Sequence, residues 1–165
     1  MSSGQQSGFE IDVTSLLVGV PASMMLDALE TALAARGFTL GVAGVADAAV
    51  AMTVGDWLEK GAPGSASVFA DPADHLVAGL EATLADGKKL VVRPCPRRAV
   101  GPDLTALAIG SHRRLAAIDR AWLRIHRSEA RRPSMPLPEG VDLDPPLEPG
   151  EARLLDAIDG ELRGG

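Results

Sequence analysis

The sequence contains no tyrosine, three phenylalanines and two tryptophans, so aromatic residues make up only 3% of its 165 positions. That scarcity argues against base-stacking surfaces and against an aromatic cage around a cofactor. A single cysteine, Cys95, excludes an internal disulfide and any cysteine-rich metal site. The three histidines, His75, His112 and His126, stand apart from one another and from any ligand-like cluster, so no metal is expected. No apolar run approaches the length a bilayer needs. The start Met1-Ser2-Ser3-Gly4-Gln5-Gln6-Ser7-Gly8 lacks the basic residues and apolar centre of a signal peptide. The expectation is a cytoplasmic, soluble protein with no membrane partner.

Hydrophobic residues account for 46% of the chain and charged ones for 23%, which excludes disorder throughout. Alanine and leucine dominate, and a core of Leu, Val and Ala buries enough surface to fold at this length. The net charge of −6 is unevenly spread. From Arg93 to Arg132 ten arginines face only Asp103, Asp119 and Glu129, a local balance of +7 against −13 for the remainder. Such segregation suits nucleic-acid contact, pairing between the two halves of the chain, or a basic rim facing an acidic cofactor. With so few aromatics and no nucleic-acid module, the last two readings rank ahead.

Residues 1–8 form a polar leader expected to be flexible. From Phe9 to Val20 the chain reads as a strand, most apolar over Ser15-Leu16-Leu17-Val18-Gly19-Val20 and ended by Pro21. Ser23 suits a helix N-cap, and Leu26, Leu29 and Leu33 fall on one face of a helix predicted over Met24–Arg36, with Gly37 as its stop. Phe38–Val42 reads as a short strand, Gly44–Met52 as a loop. Thr53 and Asp56 have capping-box spacing at the start of a helix predicted to reach Lys60, before the turn Gly61-Ala62-Pro63-Gly64-Ser65. Leu76–Leu84 fits either period. The Asp86-Gly87 pair before Leu90-Val91-Val92 decides for a hairpin, with strands over Leu76–Leu84 and Lys88–Val92. Asp103–Ile109 reads as a short helix closed by Gly110, and Ile118–His126 alternates like a strand with one polar face.

After Arg132 six of the twelve prolines fall between Pro133 and Pro149, so residues 128–150 read as an extended linker. Residues 151–163 follow as one amphipathic helix, with Leu154, Leu155, Ile158 and Leu162 on one side. So short a helix needs a surface, either on its own domain or on a partner. The basic segment and this helix are the two candidate sites for a protein partner.

No catalytic constellation is legible. Cys95 lies between two prolines with arginines at 93, 97 and 98, but no histidine is near in sequence to act as a base. Ser65 and Ser67 lack a nucleophile-elbow pattern. Small-residue turns at Thr53-Val54-Gly55 and 61–65 are places where backbone N–H groups meet phosphates, although such turns are also common connectors.

The order of these segments resembles the FAD-binding (PCMH-type) domain of the vanillyl-alcohol oxidase / p-cresol methylhydroxylase superfamily. The similarity is greatest to its branch of FAD-linked oxidases and alkylglycerone-phosphate synthases. It runs through Ser15-Leu16-Leu17-Val18, Leu29–Gly41, Thr53-Val54-Gly55-Asp56-Trp57-Leu58 with Gly61-Ala62-Pro63-Gly64-Ser65, Asp74–Lys88, and Gly101-Pro102-Asp103-Leu104 to Ile125. Together these cover residues 9–127 in family order. The resemblance implies an α+β fold: the second subdomain of that domain, a mixed or antiparallel sheet with packed helices, followed here by a Pro-rich tail. It also implies FAD as the cofactor, with Thr53, Val54, Gly55, Gly61, Ala62, Gly64, Arg113, Arg114 and Ile118 as the cofactor-binding positions.

Three departures accompany the resemblance. The Gly-rich pyrophosphate loop of the family's first subdomain, and its substrate domain, are expected to be missing. Asp56 stands where the family has glycine, placing a carboxylate at a helix start that otherwise favours an anion. The family's closing Gly-Ser-Glu-Gly-Thr-Leu-Gly reads Gly110-Ser111-His112-Arg113-Arg114-Leu115-Ala116, so Arg113 and Ala116 replace glycines that allow close backbone approach. Two main expectations follow. One is a degenerate module, not catalytic alone, that binds or assembles with a protein. The alternative is an FAD-binding subunit completed by another chain, with Arg113 and Arg114 on the cofactor's phosphates. A polyanion binder using the 93–132 segment ranks below both.

Overall fold

The computed structural model describes residues 8–41, 51–65, 76–95 and 104–130, and in the tail Pro149, Arg153, Asp156 and Ala157. Several sequence expectations fall outside the described residues: the leader up to Ser7, the 44–50 loop, Ser67, Asp74-His75, Asp103, and most of the Pro-rich linker and tail.

A five-stranded sheet forms the centre, and every pairing in it is antiparallel. In chain order its strands are β1 (Glu10–Asp12), β2 (Leu17–Pro21), β4 (Val77–Leu84), β5 (Lys89–Val92) and β6 (Ala116–Arg124). They lie in the spatial order β1-β2-β6-β4-β5. Two short strands, β3 (Phe38–Thr39) and β7 (His126–Arg127), pair as a separate ribbon. Helices α1 (Leu26–Ala34) and α2 (Val54–Glu59) complete an α+β architecture, as expected.

The run from Phe9 to Val20 is a hairpin, not one strand. Asp12 accepts hydrogen bonds from the backbone N–H groups of Thr14 and Ser15, at 2.9 and 3.0 Å, and Leu16 turns the chain at φ 54°. Helix α1 begins at Leu26, with Met25 and not Ser23 at the cap position. Long-range backbone contacts set that start: Leu26 N–H donates to Met52 O, and Met25 forms a bridge with Thr53. The predicted apolar face is right, since Leu26, Leu29 and Leu33 are all buried. The helix ends at Ala34, two residues short of the predicted Arg36, and Gly37 at φ 77° lies in the turn that follows.

The Asp86-Gly87 hairpin forms: Gly87 sits at φ 82° and its N–H donates to Leu84 O. The predicted 103–109 helix is shorter, a 3-10 turn over Leu104–Leu107. The predicted strand to His126 stops at Arg124. Ile125 N–H turns to Leu16 O, and His126 joins β3 in the second ribbon. The strand predicted over Phe38–Val42 is likewise reduced to the two residues of β3.

Val18, Val20, Trp57, Leu80 and Leu123 are fully buried between the sheet and the two helices. Along β6, buried Ala121 and Leu123 alternate with half-exposed Trp122 and Arg124, which matches the predicted polar face. The register of β4 against β6 shifts between Val77 and Gly79. A Cβ at Gly79 would lie 2.7 Å from Pro94 N, Pro94 Cα and Val92 O, all backbone atoms of the neighbouring strand and its extension. Gly79→Ala is therefore expected to cost about 1–3 kcal/mol, because backbone has to move to accommodate a methyl group. The midpoint of urea unfolding measures it, and an unchanged midpoint contradicts this packing. No helix among the described residues is long and apolar enough to cross a membrane.

Candidate functional site

Helix α2 carries the first candidate residues. Thr53 caps it as predicted: Asp56 N–H donates to Thr53 Oγ1 at 3.1 Å, and the hydroxyl donates back to Asp56 Oδ2 at 2.8 Å. The other early donors of the helix are also engaged. Val54 N–H donates to Met24 O and Gly55 N–H to Ala22 O, at 2.8 and 2.9 Å. Val54 is fully buried in the core. Gly55 does permit a close approach, but of Ala22, whose Cβ would lie 2.9 Å from an added Cβ. The small residues here join α2 to the end of β2.

The turn after α2 is built around Trp57. Gly61, Ala62 and Gly64 take φ values of 85°, 52° and 77°. Ala62 N–H donates to Trp57 O, and the Trp57 indole N–H donates to Pro63 O at 2.9 Å. Ala62 is 1% exposed, so this candidate position is interior.

The 110–115 loop packs alongside. Gly110 N–H donates to Leu58 O and His112 N–H to Glu59 O, fixing the loop to the end of α2. His112 and Arg113 are both left-handed, at φ 50° and 65°. Arg113 therefore holds the backbone conformation glycine favours, with a large side chain attached. That side chain turns toward α2, where its Nε lies 2.9 Å from Glu59 Oε2 and its Nη1 3.8 Å from Asp56 Oδ1. Arg114 diverges and pairs with Asp156 of the tail.

Glu59 joins these parts. Its residue is 2% exposed, and its second carboxylate oxygen accepts the Ile118 N–H of β6 at 3.0 Å. Burial pushes the Glu59 carboxyl above its ordinary value of 4.5, opposed by the Ile118 hydrogen bond and the Arg113 charge. A cavity of about 220 Å³ opens beside the pair, lined by Asp56, Glu59, Lys60, His112 and Arg113.

The structure thus brings Arg113 and Ile118 together on Glu59, with Thr53 linked to them through Asp56, whereas Gly55 faces Ala22 at the end of β2. Val54 and Ala62 go to the core, and Arg114 to the tail. Glu59 gave no local signal: its hydrogen-bond partner is 59 positions away. Within the basic segment arginines pair inside the chain: Arg113 with Glu59, Arg114 with Asp156, and Arg120 with Glu10 at 3.1 Å. Among the described residues no group of His, Cys, Asp and Glu is arranged to hold a metal.

No family model matches the chain. Over 117 residues, 71% of its length, it is 30% identical to the uncharacterized FAD-linked oxidoreductase YgcU of Escherichia coli, in strains K12 and O157:H7. Two solved structures of alkyldihydroxyacetonephosphate synthase superpose with TM-scores of 0.58 at 23% identity, covering 71% and 72% of this chain. The likeness is one of fold over that span. This chain shares its fold with part of those synthases and is similar in sequence to an FAD-linked oxidoreductase. It spans about a quarter of the length of the curated relatives it matches, 24%, and 20–21% of the synthase chains.

Backbone N–H groups beside small residues hold a nucleotide phosphate only where no protein acceptor already takes them. Here the N–H groups of Val54, Gly55 and Ile118 each already have an acceptor from the protein itself. Two carboxylates, Asp56 and Glu59, stand at the same corner and balance the charges of Arg113 and Lys60, so it offers a phosphate no net positive field. The residues present do not fit FAD in this arrangement.

Proposed function

We propose that this PCMH-type subdomain is a binding or assembly module that does not hold FAD or catalyse a reaction by itself. One observation carries the reading: the buried Glu59 carboxylate takes the Ile118 N–H and is clamped by Arg113, so side chains of the chain occupy the corner that the resemblance assigns to the cofactor. A flavin supplies redox chemistry when bound, and protein groups orient it against substrate. With its donors engaged internally, this surface lacks the means of orientation. A protein partner would use the basic segment or the C-terminal helix, and the Arg114–Asp156 pair supports contact between these two.

The alternative is an FAD-binding subunit whose pyrophosphate loop and catalytic domain come from another chain. It is favoured by the backbone at His112 and Arg113, which keeps the left-handed conformation of a glycine loop. Visible absorbance of the purified protein, desalted after incubation with FAD, separates the two. The module reading expects no retained flavin band. A yellow protein that keeps its colour through desalting overturns it in favour of the subunit.

A further inference from the structure

A buried carboxylate and a left-handed arginine are each unfavourable in isolation. Ionised carboxylates remain in interiors only where their lone pairs are engaged. Glu59 meets that condition through two partners, Ile118 N–H at 3.0 Å and Arg113 Nε at 2.9 Å. A non-glycine residue at φ 65° is strained, and at Arg113 the backbone bonds of Gly110 and His112 to α2 and the side-chain contact with Glu59 act together against that strain. Both unfavourable features thus serve one contact, which lies against the cavity lined by Asp56, Lys60 and His112.

We infer that Glu59 and Arg113 form a two-residue plug that determines ligand exclusion at this corner, so that removing both side chains lets FAD bind. The inference rests on the reading above that the native chain holds no flavin. Truncating Glu59 to alanine leaves Ile118 N–H, buried within β6, without its acceptor, and a ligand atom that accepts from it is then favoured. Truncating Arg113 to glycine removes the guanidinium that spans from the loop to α2 and relieves the left-handed strain. Enlargement of the existing cavity follows, since both residues line it. Asp56 stays in place, bound to the Thr53 hydroxyl, so the opened corner binds FAD moderately.

The test is a titration with FAD of the full chain as wild type, Glu59→Ala, Arg113→Gly and the double variant, followed by quenching of tryptophan fluorescence. The double variant is expected to bind about tenfold or more tightly than wild type, with each single variant between them. Glu59→Gln keeps the bulk and an acceptor for Ile118 but loses the contact with Arg113, so it is expected to fall between wild type and Glu59→Ala. A double variant that is folded by circular dichroism and binds no better than a non-binding wild type overturns this inference alone. Tight binding by wild type overturns both this inference and the reading it rests on. Should the double variant fail to fold, Arg113→Gly decides, because it relieves strain: no gain in affinity over wild type overturns the plug.

Discussion

Trp57→Ala is expected to remove about 3–5 kcal/mol of stability, a large share of what a domain of this size possesses. Trp57 is fully buried and is among the largest such side chains in the protein. Its removal leaves a cavity between α2 and the sheet, and Pro63 O loses the indole donor. The damage spreads to the 61–64 turn, because Ala62 N–H and the indole together tie that turn to the helix. The thermal midpoint is expected to fall by roughly 10 °C or more. Trp57→Phe retains most of the apolar area and isolates the hydrogen bond, at a further expected cost of about 1–2 kcal/mol for that bond alone. A midpoint for Trp57→Ala within a few degrees of wild type contradicts the packing described.

Arg113→Ala is expected to cost about 2–4 kcal/mol at neutral pH, since it strands the Glu59 carboxylate with one partner fewer. The figure lies at or below that for wholly buried pairs because the Arg113 side chain is 62% exposed. The loss carries a pH signature. Burial raises the Glu59 pKa above 4.5, so the folded state holds this proton more tightly than the unfolded chain does. The contribution of Glu59 to stability therefore grows as pH falls through the raised value, and it is fully present below 4.5. Without Arg113, which lowers that pKa, the shift is larger and its window extends upward. The gap between Arg113→Ala and wild type is thus expected to be wide at pH values near neutral and to narrow as pH approaches 5. Urea midpoints across that range measure it. A gap that is constant or widens on acidification contradicts the role given to Glu59. Arg113→Gly is expected to be about 1 kcal/mol less damaging than Arg113→Ala, because glycine adopts φ 65° without strain.

Local chemistry made some elements legible in advance. Asp86-Gly87 specifies a hairpin because the positive φ at Gly87 is a property of that residue, whatever surrounds it. Thr53 and Asp56 specify the start of α2 because cap and capped N–H lie three positions apart. The stripe of Leu26, Leu29 and Leu33 specifies the buried face of α1 in the same way. Arg113 was recognisable as a glycine position through family resemblance alone, and its backbone follows that pattern.

Other features depend on partners distant in sequence. The start of α1 is set by Met52 and Thr53, more than two dozen positions on, so Ser23 does not cap it although its residue type suits the task. The turn that divides 9–20 into two strands is the exception, since Asp12 accepts from Thr14 and Ser15 only two and three positions on. The glycine at 55 signalled a close approach, but only the fold shows that Ala22 is what approaches.

By itself the sequence determined most of the element types, the Asp86-Gly87 hairpin, the capping of α2 and the kinship with FAD-linked proteins. Each of these follows from short-range periodicity, turn preference or the order of segments. Tertiary structure alone decided what fills the corner between α2 and β6. Glu59 is an ordinary helical glutamate until folding brings it against Ile118 and Arg113, and hydrogen bonds between residues far apart in the chain leave no trace in local pattern.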